Sequence, residues 1–120
     1  MRTALATVLL LVSTACGRQP SLAGYSETCH AQPWPAAANG RTSASGERLT
    51  PLGMTAGHAE LPFGTVVRVV NLNGGQEVAV RIIDRVPAGS EARLRLSPRA
   101  AGQLGASGTT LLHVRLDVLE

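Results

Sequence analysis

The 120-residue chain contains no lysine, two cysteines and three aromatic residues, Tyr25, Trp34 and Phe63. With so few rings, recognition by stacking has little to work with: Tyr25 and Trp34 are the available platforms, while Phe63, inside "LPFGT", reads as core. All eleven basic residues are arginine. Once Arg2 is set aside with the leader described below, ten arginines face eight carboxylates, a charge of +2. That is mildly basic and unclustered, which excludes the footprint of a nucleic-acid-binding protein. It suits an acidic polymer and plain solubility equally well. Three histidines and two cysteines without ligand spacing give no metal site, and the thirteen glycines form no phosphate-binding loop. No cofactor is expected.

Long apolar runs are missing too, with one exception. The opening "MRTALATVLLLVSTAC" has Arg2 as a positive start, an apolar run from Ala4 to Val12, and small residues before Cys16, the layout of an export signal. It is shorter than the roughly 20 apolar residues that a transmembrane helix needs. Residues 1–15 are therefore read as a signal peptide, and the chain as exported. Two outcomes stay open at its end. Cys16 becomes the lipidated first residue of the mature chain, with Ser13 where a lipobox usually has leucine, or an ordinary signal peptidase uses the small residues Ser13 and Ala15 and leaves Cys16 free. Cys29 is then either the disulfide partner of Cys16 or an unpaired thiol.

No sustained helical period follows, and no internal repeat. Residues 16–35, with Pro20, Gly24, Pro33 and Pro35, read as a tether leading into a loosely ordered first strand region, and residues 36–120 as the domain proper. "NGRTSASGERLT" (39–50) is too polar to bury itself and is a surface loop. Period-two alternation then dominates. "TVVRVVNL" (65–72) and "QEVAVRIID" (76–84) flank Asn73-Gly74, whose tolerance of positive φ predicts a hairpin. In the second of these strands, Val78, Val80, Ile82 and then Asp84 share one face. "ARLRLS" (92–97) alternates as well, and Ser97 caps a short helix that begins at Pro98 and ends at Gly105. The last segment, "TLLHVRLDVLE", sets Leu112, Val114, Leu116 and Val118 against a solvent face with His113. Short strands, one or two small helices and turns rich in Gly and Pro predict a mainly β protein, a compact closed barrel.

Three polar residues stand out. Glu47 lies in the polar loop, where most glutamates are merely solvated. His58 precedes the "LPFGT" turn, where a histidine is usually an ordinary loop residue. Asp84, in "RIIDRVP", either ion-pairs or starts a turn, but on an apolar face it is harder to dismiss.

Taken in order, "GRTSASGE", "MTAGHAELPFGTVVRVVNL", "VAVRIIDRVP" and "LRLSPRAA" resemble the rare lipoprotein A family of double-psi β-barrel proteins, from about Gly40 to Leu119. The resemblance implies a six-stranded double-psi β-barrel in the bacterial cell envelope or periplasm. It also implies binding of peptidoglycan glycan strands and their cleavage by an endolytic transglycosylase. Asp84 and Glu47 would be the carboxylates, with Thr42, Ser45, His58, Arg85 and Arg95 as substrate-binding neighbours in the groove. A lytic transglycosylase protonates the glycosidic oxygen and removes a proton from the sugar's own 6-hydroxyl, closing a 1,6-anhydro ring without water. One carboxyl can do both in turn, and partial desolvation of Asp84 would favour the protonated form.

The sequence departs from the family at two places. "DRGP" is here "DRVP", with Val86 for glycine, and "IDLS" is "LRLS", with Arg95 at the aspartate's place. If Arg95 projects toward Asp84 it would hold that carboxylate ionised and weaken it as an acid. A non-catalytic, expansin-like peptidoglycan-binding module is therefore the second reading, and a structural lipoprotein contacting cell-division proteins the third. A monomer is expected in each case, touching a membrane only through Cys16.

Overall fold

The computed structural model describes residues 22–106 and 110–120. The signal peptide and Cys16 lie outside the described residues. The elements are β1 (Ser26–Pro33), a 3-10 turn (Ala36–Ala38), β2 (Thr55–His58), β3 (Val66–Asn71), β4 (Glu77–Arg85), β5 (Leu94–Leu96), α1 (Pro98–Gln103) and β6 (Leu112–Val118). The strands close in the order β1-β5-β2-β4-β3-β6, with β1/β5 and β2/β4 parallel and the other pairs antiparallel. Closure leaves no free sheet edge among these six strands, so each has both of its hydrogen-bonding sides occupied.

The barrel is filled by the inward halves of alternating strands. Val78, Val80 and Ile82 of β4 meet Val67 and Val69 of β3 and Val114 and Leu116 of β6. His113 is on the outer side, stacked beside His30 at 5.3 Å between ring centroids. Ser97 caps α1 by accepting from the Ala100 N–H at 3.2 Å, Pro98 opens the helix, and Gly105 leaves it with φ at 90°. The barrel, with one short α-helix among the described residues, matches the fold expected from the alternation.

Two local expectations are corrected. Residues 26–33, read as part of the tether and loosely ordered first strand region, form the regular strand β1, which pairs with β6 and β5 and carries Cys29 and Ala31 into the barrel. Polar residues at its exposed positions and two prolines near its end hide that strand from an apolar-pattern reading. The β3–β4 hairpin is present and its ladder closes symmetrically about Asn73-Gly74, but the positive φ, 83°, is carried by Gly75 rather than by either of them. The Asn71 side chain accepts from the Asn73 and Gly74 N–H groups and shapes a longer loop.

A second, smaller apolar cluster lies outside the main core: Trp34, Ala38, Leu49 and Ile83. It glues the segment from Trp34 to Leu49 onto the end of β4. Ile82 enters the main core while its neighbour Ile83 is buried under this segment, so both faces of β4 are covered there.

Candidate active site

The break in alternation at Ile82-Ile83 has a cause in the ladder. β2 and β4 pair as Ala56↔Ile82 and then Gly57↔Asp84, a register shift that leaves Ile83 as an extra residue. Such a bulge re-aims every side chain beyond it. Asp84 therefore does not continue the face of Val78, Val80 and Ile82, as strict alternation predicts. It emerges on the outer face of the barrel beside Gly57: a Cβ built on Gly57 would lie 3.2 Å from the Asp84 Cβ. Gly57 also pairs with Arg95 on β5, and Arg95 faces outward because Leu94 and Leu96 on either side of it are buried inside.

Asp84, Gly57 and Arg95 thus form a row across three adjacent strands, with the residue lacking a side chain in the middle. Two strand spacings put roughly 10 Å of backbone between the acid and the arginine. Both line one cleft of about 230 Å³, but they form no ion pair. The expectation that Arg95 clamps Asp84 is corrected: Gly57 holds them apart.

The cleft's other wall is the loop between Arg41 and Leu49, folded back on itself by Gly40 N–H to Leu49 O at 2.7 Å and Ser43 N–H to Glu47 O at 2.7 Å. Its tip docks on the end of β4, with Ser45 N–H donating to Ile83 O at 3.1 Å and Ala44 N–H donating to Asp84 Oδ1 at 2.9 Å. One oxygen of Asp84 is thereby fixed, and Oδ2 carries no hydrogen bond from the described residues. Among the predicted site residues, Thr42, Arg85 and Arg95 line the cleft with Asp84, while Ser45 and Glu47 do not. Ser45 braces the loop through Ser43 Oγ at 3.0 Å. Glu47 is exposed and gripped by the Arg81 guanidinium through two hydrogen bonds. Those bonds hold its carboxyl below the usual range, so it is ionised at neutral pH.

His58 turns the other way. As the last residue of β2 it points inward, is fully buried, and sits beneath a separate shallow hollow with Tyr25 and Leu61. Its Nδ1 accepts from the Glu60 and Leu61 N–H groups at 2.9 and 3.0 Å, so its proton is on Nε2, 2.6 Å from Glu27 Oε1. Tyr25 Oη donates to Glu27 Oε2 at 2.9 Å, and Arg93 stands 3.6 Å from that oxygen and 2.8 Å from Glu60 Oε1. Burial pushes Glu27 up, but the hydrogen bonds from His58 and Tyr25 and the charges near it outweigh burial and hold the carboxyl below its ordinary value. The reading of His58 as a groove side chain is corrected. It reaches the cleft through its backbone oxygen, which accepts from Arg85 Nη1 and from Val86 N–H, each at 3.3 Å.

The aromatic expectations reverse. Trp34 is 5% exposed, packed in the small cluster with Nε1 donating to Asn39 Oδ1 at 2.6 Å, and is no open platform. Phe63, expected in the core, is 42% exposed and stacks under the Arg85 guanidinium at 4.3 Å. Three contributors to the site escaped the sequence reading: Gly57, Arg41 and the Ala44 N–H. Only Gly57, flanked by residues that alternate inward, left a trace in the sequence. The other two depend on how a polar loop folds back.

The sequence matches the protein family described as lytic transglycolase over residues 26–116. Over 80 residues it is 49% identical to a Nostoc protein named "Probable endolytic peptidoglycan transglycosylase RlpA", covering 67% of this chain and 22% of the relative. A Pseudomonas aeruginosa endolytic peptidoglycan transglycosylase RlpA is 39% identical over 82 residues, 68% of this chain and 24% of its own. Its Escherichia coli K12 namesake is 41% identical over 75 residues, 62% and 20%. The chain therefore aligns with about a quarter or less of the length of each of these relatives. The barrel, its match across most of its length and its strand order show that the chain belongs to the lytic transglycolase family of double-psi β-barrel proteins.

Proposed function

We propose that the protein is an endolytic peptidoglycan transglycosylase of the bacterial cell envelope, with Asp84 as its acid and base. The observation that carries this is the placement of Asp84: bulged out of the barrel wall, one oxygen tied to the Ala44 N–H, the other free in a cleft. Protonated Asp84 gives its proton to the glycosidic oxygen as the bond to C1 breaks. The resulting carboxylate then takes the proton of the 6-hydroxyl as that oxygen closes on C1. No water is consumed, and the carboxyl ends as it began. Glu47, held ionised by Arg81, is unsuited to the acid step and serves to anchor the loop that positions Asp84.

The protein is incubated with glycan strands stripped of peptides, and mass spectrometry looks for 1,6-anhydro ends. Their release supports the proposal. Their absence, with the protein still pulled down by sacculi, would leave a wall-binding module instead.

Membrane attachment through a lipidated Cys16 is part of the same proposal. The alternative, a disulfide to Cys29, is disfavoured because that thiol faces the barrel interior, where burial pushes it up to about 11. Metabolic labelling with a fatty acid, lost in Cys16→Ala, tests it.

A further inference from the structure

The described arginines divide sharply by their partners. Arg68, Arg81, Arg93 and Arg115 pair with carboxylates, while Arg48 and Arg99 donate to the backbone oxygens of Gly40 and Leu52. None of the three that line the Asp84 cleft pairs with a carboxylate: Arg85 is spent on a backbone oxygen and the Phe63 ring, and the guanidiniums of Arg41 and Arg95 have no partner among the described residues. The cleft thus gathers three guanidiniums around one carboxylate, and two of them have every donor unused. A guanidinium offers a planar fork that matches a carboxylate through two parallel hydrogen bonds.

We infer that Arg95, with Arg41 at the rim, is a specificity determinant that binds a carboxylate carried by the glycan strand. This rests on the peptidoglycan reading above. Gly57 supplies the geometry: a sugar unit seated in the notch between Asp84 and Arg95 presents its bridging oxygen to the acid and an anionic substituent to the arginine, about 10 Å of backbone away. That separation lets the cleft take an anion without setting it against Asp84. Two sources share the chemistry: the lactyl ether of a muramic acid residue whose peptide has been removed, and the free carboxyls of an attached stem peptide.

The test measures binding of the full chain to three ligands. These are peptide-free strands, the same strands with their carboxyls chemically reduced to alcohols, and peptide-bearing strands. Carboxylate-bearing strands should bind about tenfold more tightly than reduced ones, the scale of a charge-assisted bidentate contact, and the gap should shrink as salt rises. Arg95→Ala should remove most of the gap between native and reduced strands, and Arg95→Lys should restore part of it. Preference for peptide-free strands assigns the carboxylate to the lactyl group; preference for peptide-bearing strands assigns it to the peptide. Equal binding of native and reduced strands by the unsubstituted protein overturns the inference and leaves the transglycosylase reading standing. Failure to bind any strand overturns both. Carboxylate-dependent binding without anhydro products upholds the inference while removing the catalytic reading.

Discussion

Two polar clusters sit on either side of the β2–β4 wall, and they are built on opposite plans. Around His58, the polar groups are tied to one another: both ring nitrogens are bonded, Glu27 is held from three directions, and Arg93 bridges two carboxylates. Around Asp84, valences are left over: one carboxylate oxygen and two whole guanidiniums have no partner among the described residues. A closed network rigidifies, since an unsatisfied buried group would be costly. An open one, half-buried on the barrel's outside, is what a ligand can complete. The two are joined by the His58 backbone, which holds Arg85 and Val86 and so sets the lower edge of the cleft.

The comparison is most sharply tested by Asp84→Asn, which keeps the Ala44 contact but removes the exchangeable proton. Release of 1,6-anhydro ends should fall by about 10²–10⁴-fold, with the urea midpoint hardly changed. A large loss of stability instead would mean that Asp84 belongs to the closed kind of cluster. Conversely, His58→Ala should cost roughly 3 kcal/mol in urea unfolding, because it strands Glu27 and two backbone donors. A cost below about 1 kcal/mol would contradict the closed-network account.

Gly57→Ala probes the notch between them. The added methyl would crowd the Asp84 Cβ at 3.2 Å, and a displaced acid should lose about tenfold in activity, with little change in melting temperature. The smallest effect is a pH dependence. Because the Glu27 carboxyl is held below its ordinary value, its contribution to stability is full above about pH 4.3 and is lost as pH falls through the lowered value of the folded state. The melting temperature should accordingly drop more steeply below pH 4 for the unsubstituted protein than for Glu27→Gln. Parallel curves would show that Glu27 is not held in this way.

How much of this was legible in the sequence depends on the range over which each feature is decided. Alternation in 77–82 and 112–118, the Ser97-Pro98 start of the helix and its Gly105 end are local. There, the solvent and core preferences of neighbouring side chains suffice. Strand β1 is only loosely placed by its sequence because its outward residues are polar and its inward ones small, leaving little apolar contrast. Trp34 and Phe63 were exchanged for a different reason: burial of a single ring depends on what folds over it, and only the segment 34–49 covers Trp34.

The sequence by itself determined a closed mainly β domain with a carboxylate at the end of its longest strand, because strand periodicity and capping act within a few residues. Only the tertiary structure decided which way that carboxylate points. One extra residue in the β2–β4 ladder sends Asp84 outward, leaves His58 inward, and puts a glycine between Asp84 and Arg95. A strand's period is two residues, so a one-residue shift exchanges its faces, and that shift is set by the pairing of segments 27 residues apart, Gly57 and Asp84, rather than by either segment alone.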